Sequence, residues 1–140
     1  MENKNSLQRF IDAQAQDYYI ALTEIKGGYK RSHWMWYVFP QVAGLGFSQM
    51  AERYAIKDLA EAIAYLAHPL LGQRLIEISN ALLQIPGNNA TQIMGSPDDL
   101  KLWSSMTLFS LVPASDPVFE AVLKKFFDGK RDNATLQLIN

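Results

Sequence analysis

The chain has 140 residues, of which 49% are hydrophobic and 19% charged, and its 13 basic and 14 acidic side chains leave a formal net charge of −1. This is the composition of a folded globular domain, and the balanced charge provides no long-range attraction to nucleic acid or to an anionic membrane. Because the chain has no cysteine, disulfides, thiolate nucleophiles and thiolate metal sites are excluded.

Helical patterns cover the first third of the chain. Apolar residues recur at three- and four-residue steps between residues 7 and 25, which predicts an amphipathic helix that ends at Gly27-Gly28. Ser32 can cap a short second helix, and Pro40 ends it because proline lacks the backbone N–H and clashes with the preceding turn. A third helix is predicted over residues 48–54.

The rest of the chain continues in the same way. Capping residues and prolines predict helices over residues 58–67, 69–85, 97–112, 117–128 and 132–138. No segment alternates as a strand does, and no repeat has a fixed period. The predicted fold is therefore all-α, a single helical domain over residues 1–140. We expect six to eight helices with irregular, orthogonal-type packing rather than a simple four-helix bundle.

The uncharged stretch from Ser32 to Ala51 is long enough to cross a bilayer. A proline, two glycines and several polar residues interrupt it, however, and this pattern is typical of buried structure in a soluble domain. The first twenty residues are polar and mixed in charge, unlike a secretory signal. We therefore expect a cytoplasmic protein that does not bind a membrane.

The segment from Lys30 to Gln41 holds four aromatic residues, a histidine and a basic pair. His33 is a candidate catalytic residue, since an unperturbed histidine titrates near pH ~6.5 and often acts as a general acid or base. A capping or core histidine is the alternative. Trp36 can stack on a flat ligand, whereas at least two of the four aromatic residues are expected to belong to the core.

The glycine pair before Lys30 suggests an anion site, because glycines allow close backbone approach and Ser32 opens a helix whose free N–H groups point at the turn. In this interpretation Lys30 pairs with an anionic group. A simple helix C-cap is the more frequent role of two glycines that follow a helix.

The predicted helix over residues 97–112 carries hydroxyl side chains although it is otherwise apolar nearly all round, which indicates that it is buried. The hydroxyl groups of Ser104, Ser105 and Thr107 either bond to their own helix or line a ligand pocket. Residues 102–115 are the second long uncharged stretch of the chain, and we hypothesise that this stretch packs against the aromatic one and leaves a polar-edged hollow, with Lys101 at its rim.

Other kinds of site find little support. His33 and His68 lie far apart and lack a carboxylate cluster at ligand spacing, so no metal site and no cofactor are predicted. A catalytic triad could be composed from serine, histidine and aspartate, but no nucleophile-elbow motif supports it. Nucleic-acid binding is not predicted because the chain has no basic stripe.

Several blocks of the sequence resemble one known family. They are His33–Gln41 followed by Gly44–Ser48, Ala64–Leu75, Asp99–Phe109, Phe126–Gly129 and Asp132–Leu136. The blocks occur in one order over nearly the whole chain, and on them the chain is identified as a member of the family catalogued as domain of unknown function 1810. The resemblance implies a small, mainly helical protein and no established activity, substrate or cofactor.

The residues therefore predict a binding site for a small, anionic ligand. Lys30 would pair with the anion, His33 would transfer a proton, Trp36 would stack and the amide of Gln41 would fix orientation. Lys101 and the hydroxyls of Ser104, Ser105 and Thr107 would complete the site. Whether a reaction is catalysed is left open. The alternative is a non-catalytic protein-interaction module whose aromatic residues serve the core and partner contacts.

Overall fold

A computed structural model of the protein describes residues 7–139, so residues 1–6 and 140 of the predicted domain lie outside the described residues. The described part contains nine helices and no strand. The helices are α1 (Gln8–Lys26), α2 (Met35–Val38), α3 (Gln49–Arg53), α4 (Leu59–Ala67), α5 (Leu71–Leu83), α6 (Ala90–Met94), α7 (Asp98–Ser110), α8 (Val118–Phe127) and α9 (Asn133–Leu138).

The predicted all-α single domain is confirmed, but the number of helices exceeds the predicted six to eight. Helix α6 is the one that the sequence patterns did not indicate. With five residues it is too short to show a helical period of apolar residues. The side chain of Asn89 caps it by accepting from the backbone N–H of Gln92 at 3.1 Å. The irregular, orthogonal packing stays a prediction.

Aromatic side chains connect the helices through the core. The ring of Tyr65 on α4 lies 5.1 Å from that of Phe10 on α1 and 5.3 Å from that of Phe109 on α7. Phe109 in turn lies 6.0 Å from Phe119 on α8. All four rings are buried, and the centroid separations are those of favourable aromatic pairs. The core therefore brings α1, α4, α7 and α8 together around one aromatic centre.

Polar contacts hold the segment around α2 against α1. The buried amide of Gln14 on α1 donates to the backbone carbonyl of Tyr37 at 2.8 Å and to the hydroxyl of Tyr65 at 3.0 Å. After α2, a single parallel bridge joins Val42 to Ile56. These contacts fix the start and the end of the loop that forms one wall of the candidate site.

None of the described helices combines the length and the apolar character needed to cross a membrane.

Candidate functional site

A surface groove of about 420 Å³ lies between the loop after α2 and the first half of α7. Three parts of the chain line it. They contribute Gln41, Leu45, Gly46, Phe47, Ser48 and Ala51 on one side, Pro97, Leu100, Lys101, Trp103 and Ser104 on another, and Asp132 and Ala134 at the start of α9. The two uncharged stretches of the sequence, 32–51 and 102–115, thus border the same groove.

The side-chain amide of Gln41 is available to a ligand. Its backbone is held in place, because the carbonyl accepts from the N–H of Ile56 at 2.8 Å. Its side chain is half-buried and makes no hydrogen bond to any described residue. A fixed backbone with a free amide is suited to orienting a bound molecule, since the amide offers both a donor and an acceptor.

Lys101 supplies the positive charge of the groove. Its ammonium lies 3.4 Å from Oδ1 of Asp98 and 5.1 Å from the centre of the Trp36 ring. Asp98 is shared, however, because the ammonium of Lys30 lies closer, at 2.8 Å from Oδ2. Two ammonium groups around one carboxylate leave one positive charge in excess. Of the two lysines, Lys101 lines the groove.

Lys30 lies behind the carboxylate of Asp98 rather than in the groove. Its side chain is only 6% exposed, and its ammonium lies 4.9 Å from the centre of the Trp34 ring and donates to the carbonyl of Ser32. Its backbone N–H donates to the carbonyl of Ile93 at 2.8 Å. Lys30 therefore fixes the loop after α1 to α6 and α7, and it reaches the groove only through Asp98.

The aromatic segment belongs mostly to the core. Trp34, Tyr37 and Phe39 are buried, whereas Trp36 is half-buried beneath Lys101. His33 is exposed and is not among the residues that line the groove. Its backbone carbonyl accepts a long hydrogen bond of 3.4 Å from the Tyr37 hydroxyl. The structure does not bring His33 to the predicted ligand site, and its catalytic role stays a prediction.

The hydroxyl groups of α7 divide between the groove and the helix interior. Ser104 lines the groove and donates to Oδ2 of Asp132 at 2.7 Å. Thr107 is buried behind it, where its hydroxyl accepts from the backbone N–H of Asp132 at 2.9 Å and donates to the carbonyl of Trp103 at 2.9 Å. The hydroxyl of Ser105 is fully buried and has no hydrogen-bond partner among the described residues.

Asp132 is a groove residue that sequence reasoning missed. Its position before a short helix indicated only a cap, and it does accept from the backbone N–H of Ala134 at 3.3 Å. It also accepts from the hydroxyls of Ser104 and Thr135, each at 2.7 Å. Ser104 lies 28 residues away in the chain, and no local pattern could have revealed this contact.

Two exposed apolar side chains of the groove were also missed. Phe47 is 82% exposed and Leu100 is 54% exposed. The signal for Phe47 was its position between Gly46 and Ser48, in the loop before α3, because a large apolar residue in a loop has few neighbours to cover it. Phe47 and Leu100 together give the groove an apolar wall that faces water.

The glycine pair after α1 forms the C-cap of that helix. The backbone N–H of Gly27 donates to the carbonyl of Thr23 at 3.0 Å, and that of Gly28 donates to the carbonyl of Ile25 at 2.9 Å. The backbone N–H of Tyr29 donates to the backbone carbonyl of Glu24 at 3.1 Å. All three donors are therefore already used by the end of the helix. Of the two alternatives, the structure shows the C-cap for this pair, and the anion site before Lys30 stays a prediction.

The carboxylate of Glu24 holds the loop that follows. It accepts from the backbone N–H groups of Arg31 and Ser32, from the Ser32 hydroxyl and from the indole N–H of Trp34. Burial is the largest single influence and opposes ionisation, but these hydrogen bonds together outweigh it and lower the pKa of Glu24 to about 2. Glu24 thus determines where the aromatic segment begins.

The fold and the groove define a small, all-helical, single-domain protein with a charged and partly apolar surface groove. The chain belongs to the family described as Protein of unknown function (DUF1810), whose model matches residues 4–139. It is similar to the conserved hypothetical protein Rv1873 from Mycobacterium tuberculosis, solved at 1.38 Å, with 48% identity over 95% of each chain and a TM-score of 0.93. No curated protein matches the chain.

Proposed function

We propose that the protein binds a small organic molecule through an acidic group of that molecule, in the groove between the loop after α2 and α7. The observation that carries this proposal is the convergence of Gln41, Lys101 and Ser104 on one concave surface of about 420 Å³. That volume lies within the range of small-molecule sites, which are concave and combine apolar walls with a few convergent polar groups.

The positive charge of Lys101 favours an acidic group on the ligand, although Asp132, the one acidic residue among the described residues that line the groove, brings a negative charge to the same surface. Among the described residues that line the groove, Lys101 is the single cation, and Asp98 is already paired with Lys30 at 2.8 Å. An anion beside Lys101 would therefore complete a group that carries one excess positive charge. The Trp36 ring beneath the ammonium restricts where Lys101 can lie, so part of the cost of ordering a long side chain is already met.

The apolar wall and the free amide specify the rest of the ligand. Phe47 and Leu100 expose apolar surface that a ligand would remove from water. The amide of Gln41 would then orient polar atoms of the same molecule. Lys30, Trp36 and Thr107 serve as supports in this proposal, since they hold Asp98, Lys101 and Asp132 in place.

A thermal unfolding screen against organic acids, nucleotides and sugars tests the proposal. Acidic compounds are expected to raise the melting temperature with increasing dose, because a ligand bound only by the native state stabilises it. Lys101→Met should weaken that binding about tenfold, and Gln41→Ala should weaken it less. The matched controls are Lys124→Met and Gln73→Ala, which change exposed residues of the same types outside the groove.

The proposal fails if no acid stabilises the protein, or if Lys101→Met and Lys124→Met respond alike to the acid that does. A second function is favoured by the 82% exposure of Phe47, which is a frequent property of protein-contact residues. In a non-catalytic interaction module, Phe47→Ser would abolish binding of a purified partner, whereas Lys101→Met would leave it nearly unchanged.

A further inference from the structure

Asp132 is a carboxylate that lines the groove without a cationic partner. The residue is only 8% exposed, and no lysine, arginine or histidine nitrogen of the described residues lies within 4.0 Å of its oxygens. A buried carboxylate is costly unless opposite charge or several hydrogen bonds compensate it. Here all compensation comes from neutral donors.

Those neutral donors leave part of the carboxylate unoccupied. Oδ2 accepts from the hydroxyls of Ser104 and Thr135, each at 2.7 Å. Oδ1 accepts only the N–H of Ala134, over a longer distance of 3.3 Å. A carboxylate can accept about four hydrogen bonds, so Asp132 has capacity for a further donor. The cap of α9 explains the bond to Ala134, but it does not require the carboxylate to border a groove.

We infer that the ligand of the groove also carries an amine, which Asp132 binds while Lys101 binds the acidic group. This inference rests on the proposed function and narrows it to a class, namely a small zwitterion with an apolar body, such as an amino acid with an aromatic side chain. The amine would donate to Oδ1, the oxygen with the fewest donors.

The positions of the two charged groups suit such a ligand. Lys101 and Ser104 are three residues apart on α7, so they lie on the same face of the helix about 5–6 Å apart at their Cβ atoms. Ser104 is bonded directly to Asp132. The ammonium and the carboxylate therefore border the same side of the groove, and Phe47 and Leu100 provide apolar contacts for the body of the ligand.

Three probes that share a phenyl ring separate the two charges. They are phenylalanine, which has both, 3-phenylpropionate, which has only the acid, and phenethylamine, which has only the amine. Binding of each to the whole chain is measured by calorimetry. We expect phenylalanine to bind more tightly than either single-charge probe, because it alone satisfies Lys101 and Asp132 together.

Two variants assign the charges. Asp132→Asn removes the charge but keeps an acceptor for the helix cap, and it should weaken phenylalanine about tenfold or more while leaving 3-phenylpropionate unchanged. Lys101→Met should weaken both. Thr135→Val serves as control, since it removes one hydrogen bond to Oδ2 and keeps the carboxylate. It should retain the preference for phenylalanine, and thermal unfolding shows that each variant is folded.

The outcomes separate this inference from the proposal on which it rests. If 3-phenylpropionate binds as tightly as phenylalanine and Asp132→Asn changes neither, the amine site is overturned while the anion-binding function stands. If neither phenylalanine nor 3-phenylpropionate binds, this inference is overturned, and the proposed function is overturned with it only if no acid in the thermal unfolding screen stabilises the protein. If phenylalanine loses affinity equally in Asp132→Asn and Thr135→Val, the carboxylate acts only through the local structure, and the inference is likewise overturned.

Discussion

The ammonium of Lys30 lies 2.8 Å from Oδ2 of Asp98, and this ion pair joins the loop after α1 to the first residue of α7. The same carboxylate holds Lys101 at the groove, at 3.4 Å. Asp98 therefore connects a buried lysine, which serves the fold, with a groove lysine, which is available to a ligand.

The first prediction concerns that shared carboxylate. Asp98→Asn should lower the free energy of unfolding by about 1–3 kcal/mol, because the buried ammonium of Lys30 loses its charged partner. Asp99→Asn is the matched control, since it also removes an acidic residue from the first turn of α7 but no ion pair with Lys30. Urea unfolding of both variants checks this, and equal losses would contradict the assigned role of Asp98.

The second prediction is a pH dependence set by Glu24, whose pKa is lowered to about 2 from an ordinary value of 4.5. Between these values the unfolded chain binds more protons at this residue than the folded chain does. The stability contributed by Glu24 is therefore complete above about pH 4.5 and is lost as the pH falls towards 2.

Urea unfolding of the wild type and of Glu24→Gln, at about pH 6 and about pH 3, measures this contribution. The stability difference between the two proteins should shrink at the lower pH by on the order of 1 kcal/mol, a figure that allows for solvent screening. Glu52→Gln, which changes an exposed glutamate on α3, is the matched control for the replacement itself. A difference for Glu24→Gln that is the same at both pH values would refute the assignment.

The third prediction concerns the close approach of α4 and α5. A Cβ atom on Gly72 would lie 2.1 Å from the backbone oxygen of Leu66, so Gly72→Ala should destabilise the fold by about 1–3 kcal/mol through overpacking. At Gly27, a Cβ atom would meet its neighbours no closer than 3.5 Å and φ is −80°. Gly27→Ala should therefore be neutral or slightly stabilising, and a comparison of thermal unfolding decides whether the contact with Leu66 is the cause.

The fourth prediction contrasts two buried hydroxyls of α7. Ser105 Oγ has no partner among residues 7–139, so Ser105→Ala removes an unsatisfied group and should leave stability unchanged or raise it. Thr107→Val deprives the backbone N–H of Asp132 of its acceptor and should cost about 1–3 kcal/mol. Denaturant unfolding of the two variants tests the contrast, and a larger loss for Ser105→Ala would show that its hydroxyl has a role that these contacts do not reveal.

The local structure could largely be predicted because its causes are local. The helix predicted over residues 58–67 begins at a capping residue, Asp58, whose side chain accepts from the N–H of Glu61 at 2.8 Å. The buried character of α7 followed from its apolar residues on nearly all sides. Helix α6 escaped prediction because five residues are too few to show a period.

The candidate site could be predicted only in part. Gln41, Lys101 and Ser104 were expected together, and all three line the groove. Asp132 and Phe47 were not expected there. The sequence around a capping residue such as Asp132 or a loop residue such as Phe47 is the same whether or not a groove lies beside it. What these residues face depends on helices from elsewhere in the chain.

The sequence by itself determined all the described helices but α6, and the family to which the chain belongs, since periodicity, caps and prolines act over a few residues. Only the tertiary structure decided which side chains share a site. Two of the contacts at the site join residues that are distant in the chain. They are the hydrogen bond between Ser104 and Asp132 and the ion pair between Lys30 and Asp98. Such contacts depend on how whole helices pack. Burial of apolar surface sets that packing, and because it is non-directional it does not reveal which polar residues will pair.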